Sequence, residues 1–536
     1  MPELKVTGGE RQTALSFRAG PSLRDILDAT DVRVRSGCRG TGVCGLCLVR
    51  IEAGTVNGPT ENERLSLSRE QLRRGIRLAC QVVPGENLQI SLVNPAPESN
   101  WRSPAADEYF LSQSRIETSG TQWQGECRAK GVAVDLGTTH ISATLWDLAE
   151  GKRLAGRAGL NRQHLYGADV MTRITAAAEG EACARKLSGL ALDSIGEALF
   201  DIGSREGFVL QEITQVAIVG NTPELALLSG RNYRLLMQPK SWTAAIDCLP
   251  EDTRPWCAAW GIASDAAVTV VPPLGGFVGS DLLAGVLAVG LTASTRAGLL
   301  IDFGTNSEIA LWDGARLWAT SAAGGPAFEG CGLSCGMPAE PGAIDRIEQR
   351  AASGEFAFHA IGGREPQGLC GSGLVDLIAG LVRAGLVNVR GKFTAPLADG
   401  GFPLGQGKTE LLLRPRDIDL FQRAKAAIGA GIGVLLQAAG MTAEELTRVY
   451  VGGAFGRFLD VANAQRIGLL PDSGAASVVL CGNTALAGCE LALASPAARA
   501  SLESIRQTAR LLNLSQCDAF EPLFLENLYL KPMEPC

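Results

Sequence analysis

Gly131-Val132-Ala133-Val134-Asp135-Leu136-Gly137-Thr138-Thr139 and, far downstream, Gly298-Leu299-Leu300-Ile301-Asp302-Phe303-Gly304-Thr305-Asn306 decide the fold of this chain. Each is an apolar strand that runs into Asp-x-Gly-Thr. That ending presents a carboxylate, then backbone N–H groups and hydroxyls, at a tight turn where phosphate oxygens and a divalent cation fit. One such turn is also an ordinary hairpin connection. Two of the same design point to two related lobes.

The repeated strand resembles the actin, Hsp70 and sugar-kinase superfamily, in which two lobes each contribute one phosphate loop across a nucleotide cleft. Two further stretches fit that resemblance. Arg448-Val449-Tyr450-Val451-Gly452-Gly453 looks like the adenosine motif, a strand ending in a glycine pair where missing side chains let the nucleotide approach the backbone. Gly279-Ser280-Asp281, leading into the small-residue run Leu282 to Leu291, resembles the first connecting segment, whose acidic residue orients metal or water. An internal echo sets Ala217-Ile218-Val219-Gly220-Asn221-Thr222 against Val478-Val479-Leu480-Cys481-Gly482-Asn483-Thr484, as duplicated lobes would. The Gly-Asn-Thr turns read equally as helix caps and as direct ligand contacts.

Outward toward the N-terminus, Cys38, Cys44 and Cys47 stand as C-x5-C-x2-C, followed by a distant Cys80. This is a [2Fe-2S] signature. Gly37, Gly40, Gly42 and Gly45 let the backbone wrap closely around the thiolates and aim N–H groups at them. A structural zinc site would want two close ligand pairs, and only Cys44 and Cys47 form one. The segment Arg77-Leu78-Ala79-Cys80-Gln81 resembles the fourth-ligand segment of [2Fe-2S] ferredoxins. Residues 1–93 therefore read as a β-grasp domain, with strands expected at Cys47–Ile51 and Leu88–Leu92.

The remaining features bound the problem. A chain of 536 residues, 46% apolar, can build several cores. The net charge of −7 argues against a nucleic-acid partner. Residues 1–90 carry 13 Lys and Arg against 10 Asp and Glu, so they are the basic part of an acidic chain. Arg33, Arg35, Arg39, Arg73, Arg74 and Arg77 lie near the cysteine segments in sequence. They suit an acidic redox partner, docking on the acidic body of the same chain, or a merely solvated face. No stretch reads as a signal peptide, and the longest uncharged apolar run, Leu282–Thr295, is too short for a bilayer; a cytoplasmic location without membrane partner is expected. The cysteines outside the cluster set are scattered, as buried thiols in a reducing compartment would be. Residues 94–128 read as a linker whose aromatics Trp101, Tyr109, Phe110 and Trp123 could dock parts of it.

With these residues in view the chain resembles the reductive activators of corrinoid proteins. Specific stretches carry the likeness: Asn161 to Ile174, Asp302 to Glu308, Gly325 to Gly330, Gly368 to Gly373, Ala424 to Ala427, and Gly452 to Gly456. The resemblance implies an α+β multidomain protein: a β-grasp [2Fe-2S] domain (1–93), the linker (94–128), a first actin-like lobe (129–292) and a C-terminal actin-like lobe (293–536). It implies an ATP-hydrolysing corrinoid reductase, which delivers one electron to convert inactive Co(II) corrinoid to Co(I). Plant-type [2Fe-2S] centres lie near about −400 mV, and the resemblance places the cobalt couple lower. A gap of roughly 200 mV for one electron costs about 4.6 kcal/mol, which nucleotide binding or hydrolysis can offset.

The implied roles are specific. Cys38, Cys44, Cys47 and Cys80 hold the [2Fe-2S] cluster. Gly137, Thr138 and Thr139, with Gly304, Thr305 and Asn306, cradle the phosphates of ATP. Asp135 and Asp302 hold Mg²⁺ through water, Asp281 orients the attacking water, and Gly452 and Gly453 face the adenosine. The partners are a corrinoid protein of a methyltransferase or demethylase system and an upstream electron donor, with one or two chains per assembly left open. After Gly220-Asn221-Thr222 this chain has Pro223-Glu224-Leu225-Ala226 where relatives tend to carry methionine and histidine. That departure is expected to touch neither the cluster nor the phosphate loops. A redox-sensing small-molecule kinase, a nucleotide-switch chaperone and a radical-dehydratase activator are the competing readings.

Overall fold

The computed structural model describes residues 2–533 except 9–10, 29, 31, 35–39, 41, 43–44, 46, 96–100, 104–128, 168, 330–332, 340, 350–354, 364, 398–399, 405–410, 454–457, 473 and 475. Of the cluster cysteines, Cys38 and Cys44 lie outside the described residues, as do Tyr109, Phe110 and Trp123 of the linker.

The first sheet follows from alternating apolar residues. Its strands are β1 (Glu3–Gly8), β2 (Arg11–Ser16), β3 (Leu48–Ala53), β4 (Ile76–Leu78) and β5 (Leu88–Leu92), in the order β2-β1-β5-β3-β4. The two strands expected from the sequence are β3 and β5. β1 and β5 are parallel and every other pair is antiparallel. Leu4, Val6, Val49, Leu78 and Ile90 are turned inward against Leu23 and Leu27 of the short helix Leu23–Asp28. A buried ion pair fixes the segment before Cys80. Arg77 Nε and Nη2 donate to Glu63 at 2.8 Å each, and Glu63 also accepts the backbone N–H of Leu78 and of Thr60. Burial works to raise the Glu63 pKa, but these hydrogen bonds outweigh it and hold the carboxyl below its ordinary value. Arg77 is thus an internal brace and not part of a partner surface.

The two lobes share one strand order. In the first, β6 (Lys130–Leu136), β7 (His140–Asp147), β8 (Lys152–Leu160), β9 (Ile213–Gly220) and β10 (Ala267–Val270) stand as β10-β9-β6-β7-β8. In the second, β11 (Gly298–Phe303), β12 (Ser307–Trp312), β13 (Leu317–Ala322) and two later strands repeat the pattern. A small sheet intervenes, with β14 (Ala343–Gln349), β15 (Phe356–Ala360) and β16 (Gly368–Leu369), then the ribbon β17 (Phe402–Pro403) and β18 (Leu412–Leu413). The second main sheet closes with β19 (Arg448–Gly452), β20 (Ser477–Gly482) and the edge strand β21 (Arg510–Leu511), in the order β20-β19-β11-β12-β13-β21. In each lobe the central strand, β6 or β11, is antiparallel to the next hairpin strand and parallel to the fourth strand.

Two helices join the lobes, Ser280–Val289 and Thr484–Ala494. They cross so closely that a Cβ on Gly488 would lie 1.9 Å from the carbonyl oxygen of Ala284. Around them one apolar core draws on both sheets, from Ala133, Ala217 and Val219 to Leu300, Ala310 and Ala319. Glu490, fully buried in the second helix, pins it to the first lobe by accepting from Arg153 Nε at 2.9 Å and Thr144 Oγ1 at 2.8 Å. Trp101 of the linker is buried in the first-lobe core, and Arg102 exchanges backbone hydrogen bonds with Ala158 on β8.

Arg77→Ala leaves Glu63 buried without its charge partner and is expected to destabilise the N-terminal domain by about 3–5 kcal/mol. Because the folded pKa of Glu63 is lowered, its contribution exists above the unfolded value of about 4.3 and is lost as pH falls through the folded value. Denaturant titrations at pH 7 and in acid, comparing wild type with the variant, measure both.

Candidate functional site

β6 and β11 end at the same depth between the lobes, and their turns face each other. Thr139 Oγ1 and Thr305 Oγ1 lie 3.3 Å apart across the gap. Each turn is closed by the amide of its glycine: Gly137 N donates to His140 O and Gly304 N to Asn306 O, both at 3.1 Å. A side chain at Gly137 would strike the His140 carbonyl oxygen at 2.6 Å. The Gly-Thr sequence is what allows the turn to be this tight.

At the floor of the cleft the chain gathers acids. Asp135 and Asp302 end the two central strands, Asp281 opens the helix Ser280–Val289, and Glu308 sits on β12 directly opposite Asp302 in the ladder. All four are half-buried. Burial, then the charge of Asp302, pushes Asp135 up to about 7. Burial, then the charges of Asp135 and Asp302, raises Asp281 to about 7. Burial alone takes Asp302 to about 6, against a hydrogen bond that pulls it down, and Glu308 is driven well above its ordinary value by burial and by Asp281 and Asp302. Such a cluster is costly to ionise unless a cation or protons offset its charge. Among the described residues no group of three or more carboxylates, cysteines or histidines converges closely enough to hold a metal directly. The donor set therefore fits Mg²⁺ held through water with phosphate oxygens, the mode this small cation favours.

The turn Gly482-Asn483-Thr484 ties the floor together. Asn483 Nδ2 donates to Asp135 Oδ2 at 2.8 Å in one lobe, and Thr484 Oγ1 donates to Asp302 Oδ2 at 3.0 Å in the other. Asn221 Nδ2 likewise donates to Thr138 Oγ1 at 3.0 Å. Both asparagines also cap helices, accepting from Leu486 N and Glu224 N through Oδ1. Cap and loop contact are therefore one structure. The sequence echo between these turns is not the fold's repeat. Gly220-Asn221 follows the fourth strand of its sheet, where the second lobe has Gly452-Gly453, while Gly482-Asn483-Thr484 follows the fifth, where the first lobe has Gly279-Ser280-Asp281. The glycine pair also has a reason within the chain itself: a Cβ at Gly453, which has φ +86°, would lie 2.1 Å from Phe303 O, and one at Gly452 would lie 3.2 Å from Asp302 Cγ. Its absent side chains admit the end of β11.

In the N-terminal domain Cys47 Sγ and Cys80 Sγ stand 3.4 Å apart. They form no disulfide, being well beyond the S–S bond length of about 2.05 Å. A tetrahedral ion with metal–sulfur bonds of about 2.3 Å places two thiolates about 3.8 Å apart, so this pair fits one iron of a cluster. Gly40, Gly42 and Gly45 all adopt positive φ in the loop, and Gln81 Nε2 reaches Gly40 O at 3.0 Å and Cys80 Sγ at 3.6 Å.

Comparison with known proteins accounts for the whole arrangement. Residues 9–85 match the 2Fe-2S iron-sulfur cluster binding domain, 130–294 the RACo middle region, and 296–535 the C-terminal domain of RACo, its ASKHA domain. The chain belongs to the RACo family. It is 32% identical over 428 residues to the corrinoid activation enzyme RamQ of Eubacterium limosum, covering 75% of this chain and 70% of the relative. It is 30% identical to the [Co(II) methylated amine-specific corrinoid protein] reductase of Methanosarcina barkeri, covering 67% and 68%. The solved structure of a reductive activator for corrinoid, iron-sulfur protein superposes with a TM-score of 0.67 at 27% identity, covering 99% of both chains.

Within this member of the RACo family the departure at Glu224 is not remote from the cleft. Glu224 is fully buried, accepts from Arg173 Nη1 at 2.9 Å, and accepts from Asn161 Nδ2, which also donates to Gly137 O at 3.0 Å. Through Asn161 and Asn221 it braces the turn after β6, contrary to the expectation that this segment would leave the two Asp-x-Gly-Thr loops untouched. Lys425, in the Ala424–Ala427 motif, is buried and donates to Gly468 O at 3.2 Å; burial, then Lys531, lowers its pKa to about 7. That bond lies within the second lobe. The sequence assigns no role to Glu308 and leaves Asn483 and Thr484 open between cap and ligand contact; the structure joins all three to the acid floor.

Asp302→Asn removes one of four mutually repelling carboxylates while keeping an acceptor for Thr484. It is expected to raise the stability of metal-free protein at pH 8 by about 1 kcal/mol, roughly 2–4 °C in Tm, while abolishing Mg-nucleotide turnover. Thermal melts in EDTA and a phosphate-release assay check the pair of outcomes; a lower Tm would make Asp302 a structural residue.

Proposed function

We propose that this protein is an ATP-dependent reductive activator: it converts the inactive Co(II) corrinoid of a partner protein to Co(I), one electron per event. The observation that carries the reading is the presence, in one chain, of the Cys47–Cys80 thiol pair and a two-turn cleft floored by acids. Membership of a family whose relatives are named for corrinoid activation and reduction supports it. The assignment divides the chain into 1–93, 94–128, 129–292 and 293–536.

Cys38, Cys44, Cys47 and Cys80 are assigned as the ligands of the [2Fe-2S] cluster, which when bound accepts and passes on single electrons. In the cleft, Gly137, Thr138 and Thr139 with Gly304, Thr305 and Asn306 are assigned to the phosphates, supplying N–H and hydroxyl donors from both sides. Asp135 and Asp302 would hold Mg²⁺ through water, with Glu308 beside them. Asp281, raised by burial and then by the charges of Asp135 and Asp302, is suited to orient an attacking water. Gly452 and Gly453 border the adenosine. Because Asn483 and Thr484 join the two aspartates across the lobes, neutralising the acid cluster changes the force between lobes. That is a physical route from nucleotide to partner surface. An upstream low-potential donor supplies the electron, and the corrinoid protein belongs to a methyltransferase or demethylase system in this proposal.

The test is an anaerobic visible spectrum of a Co(II) corrinoid protein mixed with this chain and a reductant, with and without Mg-ATP. Co(I) absorbance is expected only with Mg-ATP, and is lost in Cys47→Ser. Absence of Co(I) with a newly phosphorylated small molecule would overturn the reading in favour of a kinase.

A further inference from the structure

The N-terminal domain and the first lobe meet through a buried set of charges. Arg24 Nη2 donates to Glu206 Oε2 at 2.9 Å and to Arg205 O at 3.4 Å. Arg33 Nη1 reaches both oxygens of Asp201, at 3.4 and 3.2 Å, and Arg157 donates to Asp201 through Nε and to Glu206 Oε1 at 3.1 Å. The side chains of Arg24, Arg33, Arg157, Asp201 and Glu206 are between 1% and 14% exposed. Asp201 and Glu206 close the long helix Glu181–Glu206. Of the basic residues expected to face an acidic surface, Arg33 is spent on this contact, whereas Arg73 is exposed beside Glu70.

Arg24 does something Arg33 does not. A Cβ built on Gly40, in the cysteine loop, would lie 3.4 Å from Arg24 Nη1 and 3.8 Å from Cys80 Cβ. One guanidinium edge thus faces the loop that carries the cysteines while the other holds the first lobe. In water that charge would be screened; fixed and buried by Glu206 it acts through a lower dielectric, with its positive end toward the thiolates.

We propose that Arg24 is a positioning residue that couples docking to redox state: held by Glu206, it raises the reduction potential at the cysteine site, and reduction in turn tightens the hold of the N-terminal domain on the first lobe. The reciprocity is required by linkage. One electron enters at the iron pair from an external one-electron donor, and the guanidinium keeps its charge throughout. The proposal rests on the cysteine ligand assignment above. Each tenfold difference in docking affinity between the two redox states corresponds to about 59 mV.

The experiment is an EPR-monitored dithionite titration of the full chain, combined with hydrogen exchange over residues 23–28 and 201–206 in both redox states. In wild type, reduction is expected to slow exchange in both segments. Arg24→Gln lowers the midpoint potential and speeds exchange; Arg24→Lys, which keeps the charge without the forked hold on Glu206, is expected to shift both readouts in the same direction by less than Arg24→Gln does. Glu206→Gln, altered outside the cysteine domain, speeds exchange and abolishes its dependence on redox state, and Arg73→Gln changes neither readout. A wild-type potential in Arg24→Gln, or exchange in wild type indifferent to reduction, overturns the proposal. A wild-type chain without any [2Fe-2S] signal would instead defeat the ligand assignment on which it stands.

Discussion

Like charges gathered at the bottom of a cleft are the constraint around which this molecule is organised. Burial raises the proton affinity of Asp135, Asp281, Asp302 and Glu308, and neighbouring charges add to it for all but Asp302, so the cluster is costly to ionise without a cation. The scaffold resists with neutral donors: Asn483 and Thr484 each take one aspartate, and the crossed helices behind them are packed too closely for a side chain at Gly488. The apolar core shared by the two sheets holds this arrangement from behind. A fold that merely needed stability would fill the same space with apolar side chains. Keeping the acids costs stability, and the proposed cation and nucleotide site accounts for that cost.

The parts of this design that lie within one short segment were legible in the sequence. The repeated strand and Asp-x-Gly-Thr turn, the strands flanking the cysteines and the helix after Gly279 each declare themselves through periodicity and glycine. The assembly was not legible, because its contacts join distant positions. Asn483 meets Asp135 and Glu490 meets Arg153 across more than half the chain. The duplicated Gly-Asn-Thr words misled for the same reason: they match in letters but follow different strands of their sheets. Glu224, a departure in sequence, is absorbed by a buried partner, Arg173, whose role no local pattern announces.

The charges of the N-terminal domain divide in a similar way. Sequence composition marks it as basic, and proximity in sequence groups six arginines near the cysteines. Folding separates those described: Arg77 is turned inward to Glu63, Arg33 is buried against Asp201, and Arg73 remains at the surface. Arg24, not among the six, is placed between the cysteine loop and the first lobe. Docking on the acidic body of the same chain, one of three readings of that basic face, holds for Arg33 among the described members of the six.

The central claim is that two turns and their acids form a single nucleotide site whose occupant must bring a cation. Calorimetric titration of the full chain with ADP, with and without Mg²⁺, addresses it most directly. One nucleotide per chain, bound tightly only when Mg²⁺ is present, is the predicted result. Equal binding in EDTA, or none in either condition, would contradict the account.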